Sequence, residues 1–253
     1  MKKLIILICL ILSITLSAQI TETDKTMLWT TISVSKKIND KFSISYNQLN
    51  SVDLASPRFN FIQPDIRINY KITKKVIATV GYAPTFSLDQ ISGNQLVYHR
   101  VAGRIRLRTK LGKRIRMSNS ITAEHHLTQR SKFQQRYYYK LDLYYRNTSL
   151  PWRLRPYLTQ KLYYYANGRD LQYYDDSGNM TDLKSPNGLH AYRIEPGIKF
   201  YPTKKFYFSV YYLRQIEFNA GGSEISNLNP NTGNIRRPFY NFNVIGLKCG
   251  LSL

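Results

Sequence analysis

Between Val97 and Leu127 the chain changes character residue by residue, with a regularity that admits little besides β-sheet. Val97, Val101, Gly103, Ile105 and Leu107 share one parity, while Arg100, Arg104, Arg106 and Arg108 share the other. Successive side chains of an extended strand point to opposite faces, so this segment is apolar on one face and cationic on the other. The next segment repeats the pattern. Ile115, Met117, Ile121, Ala123 and Leu127 stand against Arg114, Arg116, Ser118, Ser120, Thr122, Glu124 and His126. An earlier one sets Ile62, Ile66, Ile68, Tyr70 and Ile72 against Gln63, Asp65, Arg67, Asn69 and Lys71. A helix would repeat its apolar residues every three or four positions, and beyond the N-terminal leader no segment does so.

Strands are expected near 27–36, 41–51, 60–72, 76–88, 95–110, 114–127, 133–147, 152–166, 189–202, 205–218 and 236–252. Alternation alone fits a soluble sandwich, a lipocalin-like barrel or a membrane barrel; strand length separates them. Sandwich strands run about five or six residues, whereas tilted membrane strands need about nine to eleven. Nearly all the segments here reach the larger figure, so the expected fold class is all-β, an antiparallel transmembrane β-barrel of ten to twelve strands. Bacterial single-chain barrels close with an even number, which favours twelve over the eleven segments counted. Three ways to an even count stay open: the first segment is an N-terminal stretch entering the lumen instead of a wall strand, the stretch from Ile20 to Thr26 forms part of another strand, or a long loop hides one.

The N-terminus sets the expected location. Lys2 and Lys3 precede an apolar run from Leu4 to Leu12, which fades through Ser13 and Thr15 into Leu16-Ser17-Ala18-Gln19. That is the layout of a Sec signal peptide, with cleavage expected after Ala18, leaving 19–253 as a single barrel domain in a Gram-negative outer membrane. Cys9 lies within the apolar run and would leave with it, so Cys249 would have no partner for an intrachain disulfide. No later stretch of about 18 apolar residues occurs. The mean hydropathy of −0.38 is uninformative, because only alternate residues of a barrel strand face lipid. Tyrosine, with 21 copies against 11 Phe and 2 Trp, suits a membrane interface and the rim of a barrel.

Loop lengths distinguish the two ends. Short connections at Ile38-Asn39-Asp40, Thr73-Lys74-Lys75, Leu111-Gly112-Lys113, Ser149-Leu150-Pro151 and Thr203-Lys204 are expected as periplasmic turns, and their lysines solubilise them or meet anionic headgroups. Longer connections near 52–59, 89–94, 128–132, 167–188 and 219–235 are expected outside. The last two, rich in Asn and Gly, read as flexible polar loops that can contact a partner.

The formal net charge of +22 concentrates on the face opposite the apolar one. Arg67, Arg100, Arg104, Arg106, Arg108, Arg114, Arg116, Arg136, Arg153, Arg155 and Arg193 are expected inside, with Lys71, Lys110, Lys140, Arg146, Lys161 and Lys199. Asp65, Glu124, Asp142, Glu195 and Glu217 are the expected counter-charges. Two readings of this lining stay open. A water-filled path would carry a positive potential and favour small anions; alternatively, interior charges and tyrosines bond to one another and form a plug. Net charge alone would also suit nucleic acid, but its placement on strands of an exported barrel excludes a nucleic-acid face. The expected partners are outer-membrane lipid, the barrel insertion machinery and small anions.

Catalysis is not expected. Ser120, Glu124 and His126 share a face, but it is the lumen face, where no acyl chain is presented, and His125 faces outward. A lipid-modifying hydrolase is therefore the alternative and a barrel without catalysis the main reading. No Cys pair, His-x-x-x-His helix or glycine-rich phosphate loop occurs, so no metal or cofactor is expected.

The order of features resembles a known family of outer-membrane barrels, domain of unknown function 2490 (DUF2490). The matching features begin with the Leu28-Trp29 strand and Lys36-Lys37 before the Phe42 strand. They continue with the strand from His99-Arg100 to Arg108, its partner from Arg114 to Glu124, the segment from Arg136 to Arg146, Arg155-Pro156-Tyr157, and closing strands rich in Tyr and Phe. The resemblance implies location and architecture, and supplies no catalytic residues.

Overall fold

The computed structural model describes residues 25–55, 58–88, 95–127, 133–146, 150, 153–167, 170–174, 177, 179–184, 187–220 and 241–253. The expected leader at 1–18 and most of the loop at 219–235 lie outside them. The described residues form strands and no helix. In chain order the strands are β1 (Lys25–Lys37), β2 (Phe42–Asp53), β3 (Arg58–Lys71), β4 (Val76–Tyr82), β5 (Thr85–Leu88), β6 (Gln95–Tyr98), β7 (Arg100–Leu111) and β8 (Ile115–His126). There follow β9 (Gln135–Tyr145), β10 (Arg155–Ala166), β11 (Leu171–Tyr174), β12 (Met180–Lys184), β13 (Gly188–Phe200), β14 (Phe206–Ala220) and β15 (Phe242–Ser252).

Each wall strand pairs antiparallel with its sequence neighbour, and β15 returns to β1 in a parallel ladder from Lys25↔Phe242 to Ser35↔Ser252. The sheet therefore closes on itself. β4 and β5 are one wall strand interrupted at Ala83-Pro84, since both keep one register against β3: Ile66 faces Tyr82 and Ile62 faces Phe86. Pro84 has no N–H to give the ladder, which accounts for the gap. β6 and β7 form one wall strand in the same way, interrupted at His99.

Counted so, the barrel has eleven wall strands and not the favoured twelve. An even count is needed only when every neighbouring pair is antiparallel. With an odd count the first and last strands run the same way, and the parallel β1–β15 seam satisfies their backbone groups. The loop at 167–188 does contain a hairpin, β11–β12, but it pairs only with itself and adds nothing to the wall. That segment is thus partly ordered structure, where a flexible loop was expected.

Three short turns at one end share a device. Asn39 Oδ1 accepts from the backbone N–H groups of Lys41 and Phe42 at 2.9 and 2.8 Å. Thr73 Oγ1 accepts from Lys75 and Val76, and Thr203 Oγ1 from Lys205 and Phe206. A short polar side chain thus takes the N–H groups that leave the ladder at each reversal.

The wall is inside-out. Ile32, Ile66, Ile68, Val80, Ile105, Ile121, Ile198 and Val210 are exposed on the outer face. Ser51, Asp65, Thr79, Ser118, Ser120, Thr122, Glu124, Asp142 and Thr159 are buried inside. Tyrosines serve both faces, which corrects the expectation of an interface and rim role: Tyr137, Tyr139 and Tyr212 are exposed, while Tyr157, Tyr163 and Tyr165 are buried. On β15, Gly246 and Gly250 lie under the inward rings of Tyr211 and Tyr207 on β14, and an added Cβ at either would fall within the ring. Gly246→Val is expected to cost about 1–3 kcal/mol, the range for overpacking a filled site. The check is a urea refolding midpoint, which should fall relative to that of the parent protein.

Candidate functional site

The interior divides along the barrel axis. Near the short turns is a cavity of about 800 Å³, opening at that end among Ser35, Ser43, Arg108, Arg146 and Tyr201. Near the long loops the described side chains pack the bore, leaving a cavity of about 20 Å³ beside Arg100, Thr122 and Glu124.

The cavity owes its charge to strand register. Period two carries Arg104, Arg106 and Arg108 inward from β7, Arg116 from β8, Lys140 from β9, Arg155 and Lys161 from β10, and Lys199 from β13; Arg146 follows directly after β9. Arg67 enters from β3 and Lys248 from β15. Only Asp65, Asp142 and Glu195 bring carboxylates to this lining. Asp65 pairs with Arg67. Asp142 pairs with Lys140 at 2.8 Å and accepts from Thr159 Oγ1 at 2.6 Å. Glu195 accepts from the Tyr157 hydroxyl at 3.0 Å.

Several of the remaining cations rest on rings, and others keep donor atoms unpartnered among the described residues. Lys199 Nζ sits 5.0, 5.1 and 5.4 Å from the ring centroids of Tyr144, Tyr157 and Tyr207, and Arg155 lies 4.1 Å from that of Tyr201. Arg104 Nη2 donates to Thr79 Oγ1 at 3.1 Å, while its Nε has no partner among the described residues. Arg106 Nε, Arg116 Nε and Nη1, and Ser118 Oγ are likewise buried without one.

The filled half is a plug of rings and ion pairs. Glu124, 6 % exposed, lies between Arg136 and Arg100 and pairs with both, at 3.6 Å to Arg100. The Arg136 guanidinium lies 5.2 Å from the Phe133 centroid and 5.5 Å from that of Tyr163. Tyr163, Tyr165 and Ala191 form a buried cluster against Phe133 and Tyr138. Arg193 bridges it to the β1–β15 seam, with its guanidinium 4.9 Å from the Tyr163 centroid, 5.9 Å from Trp29 and 5.3 Å from Phe242. Met27, Leu213, Phe242 and Val244 complete the packing.

The expected lining residues thus fall into three groups. Arg67, Arg104, Arg106, Arg108, Arg116 and Arg155 line the cavity; Arg100, Arg136 and Arg193 belong to the plug. Arg114 and Arg153 line neither, which corrects the expectation. Arg114 is exposed on the turn before β8, with Nη1 3.4 Å from the Tyr145 hydroxyl. Arg153 is exposed in the connection before β10 with φ of 53°. Both lie outside a strand, where alternation no longer sets direction. Lys71 and Lys110 are exposed at the rim. Of the carboxylates, Asp65, Asp142 and Glu195 are in the cavity and Glu124 in the plug, while Glu217 lies in a part of β14 whose side chains are outside the described residues. Lys248 was missed, although its parity with Val244 and Gly246 marks it as inward.

Ser120, Glu124 and His126 do not converge. They lie along one strand, Ser120 and His126 roughly 20 Å apart at the strand rise, and Glu124 is engaged by two arginines. His125 is on the outer wall beside Gln135 and Tyr137. Among the described residues no group of three metal-ligating side chains occurs.

No curated protein matches this chain. A family model described as "Protein of unknown function (DUF2490)" matches residues 26–226, which run from the start of β1 to just beyond β14. With that span covering most of the barrel wall, the chain belongs to the DUF2490 family.

Proposed function

We propose that the protein is an outer-membrane barrel without catalytic activity, whose cationic lumen receives small anions from the periplasmic side and is closed toward the outside by the aromatic plug. The observation that carries this reading is the inside-out wall. Isoleucine and valine surround a barrel whose interior holds arginine and lysine in excess of carboxylate. Water-soluble barrels bury the apolar face, whereas a bilayer rewards the reverse arrangement. Strands of twelve residues rise roughly 40 Å, or about 30 Å along the axis at a tilt near 40°, which matches a hydrocarbon core. The short turns face the periplasm by the usual loop asymmetry of such barrels.

Ile121 tests the membrane part. It is 66 % exposed on the outer wall, so in water its replacement by arginine would cost little. In a bilayer Ile121→Arg is expected to cost about 2–4 kcal/mol near the midplane. The measurement is folding stability in phospholipid vesicles, with the exposed turn substitution Asp40→Arg as control. Equal stability of Ile121→Arg and the parent would overturn the membrane reading.

A further inference from the structure

We propose that the inner wall formed by β7 and β8 is a phosphate-binding site, taking a small anion that carries two phosphoryl groups. This inference rests on the anion-receiving lumen proposed above and names its ligand class.

The strand pairing assembles the site. Arg108 faces Ser118 and Arg106 faces Ser120 across the β7–β8 ladder, with Arg104 next on the same face of β7 and Arg116 next to Ser118 on β8. Opposed side chains in such a ladder begin about 5 Å apart and same-face neighbours on one strand about 7 Å apart. The four guanidinium groups therefore form an inner stripe roughly 20 Å long at the strand rise, with Arg106, Arg108 and Arg116 nearest Ser118. Like charges at this spacing repel, and an anion beside them relieves that repulsion.

Among the described residues, the carboxylates of the lining are engaged elsewhere, Glu195 by the Tyr157 hydroxyl. Asp142, which faces Ser118 from β9, is taken by Lys140 and Thr159, and Asp65 by Arg67. Ser118 is 9 % exposed, lines the cavity and has no hydrogen-bond partner for its hydroxyl among the described residues. Arg116 Nε and Nη1 and the Nε atoms of Arg104 and Arg106 are unpartnered in the same way. These are guanidinium N–H donors on the same inner wall as an unpartnered hydroxyl. A tetrahedral oxyanion with several acceptor oxygens uses such a set, and a halide or a single carboxylate uses only part of it. One phosphoryl group would take Arg116, Ser118 and Arg108 and the second Arg106, the next inward residue on β7, with Arg104 one step further along the strand. The cavity, near 800 Å³, holds a solute of this size, and it opens at the short-turn end.

The test is calorimetric titration of the full protein in a neutral detergent with inorganic pyrophosphate, and separately with acetate and chloride at matched ionic strength. Saturable 1:1 binding of pyrophosphate is expected, with acetate and chloride at least about tenfold weaker. Arg116→Lys keeps the charge and loses the fork, and is expected to weaken pyrophosphate about tenfold, whereas Arg114→Ala on the neighbouring turn leaves it unchanged. Two sources of phosphate are separated by adding nanodiscs of cardiolipin, whose headgroup carries two phosphate groups: displacement of pyrophosphate assigns the site to a lipid headgroup, and its persistence to a soluble ester. Acetate binding as tightly as pyrophosphate, or Arg116→Lys binding as the parent does, overturns the proposal. Cation preference in the opened lumen would instead overturn the anion-receiving reading beneath it.

Discussion

Replacing Tyr163 and Tyr165 together by alanine is expected to turn a silent barrel into a conducting one. Both side chains are 2 % exposed and occupy the bore above the cavity, packed on Phe133 and Tyr138. Their removal deletes two rings from a region where neighbouring side chains are fixed to the wall by strand register, so the space cannot close by collapse. In planar bilayers the parent protein should stay at background conductance, and the double variant should show discrete openings. A steady conductance in the parent would mean that the plug does not seal the lumen. Closure in the double variant would place the seal elsewhere.

The second large effect concerns Glu124. It pairs with Arg100 and Arg136 inside the plug, where its removal strands two guanidinium groups away from bulk water. Breaking a buried ion pair from one side typically costs about 3–5 kcal/mol. Glu124→Gln is therefore expected to lower unfolding stability in lipid by several kcal/mol. Arg100→Gln should cost less, because Glu124 then keeps Arg136. Urea unfolding of the reconstituted proteins, followed by tryptophan emission, measures both; similar losses for the two variants would contradict the assignment of Arg136 as the stronger partner.

How far the fold was legible varies from strand to strand, for physical reasons. β3, β7 and β8 were plain because arginine and isoleucine take turns there, and only a two-sided wall requires such an order. The strand carrying Lys248 was harder. Apart from Lys248, its inward residues are Phe242, Val244, Gly246 and Gly250, apolar or small, so that the two faces differ little. Those glycines have meaning only beside Tyr207 and Tyr211 on the next strand, and a linear pattern does not show who the neighbours are.

The closure was illegible for a related reason. Whether β1 meets β15 parallel is a property of the whole ring, and no local segment encodes it. Alternation also stops where a strand stops, so parity points Arg114 and Arg153 inward although they lie outside the lining. The division into cavity and plug was illegible because arginines of equal parity have unequal surroundings. Arg106 and Arg136 both point inward, yet only Arg136 meets a carboxylate and two rings.

The central claim is that one face of each strand meets lipid and the other meets a charged interior, and collision accessibility of nitroxide labels tests it directly. Labels at Ile105, Ile121 and Val210 on the outer face should collide freely with oxygen and hardly with a water-soluble nickel chelate when the protein is in bilayers. Labels at Arg106, Ser118 and Lys199, which line the cavity, should show the reverse order. If the nickel chelate reaches Ile105, Ile121 and Val210 as readily as oxygen does, the outer face is in water and the membrane barrel is contradicted.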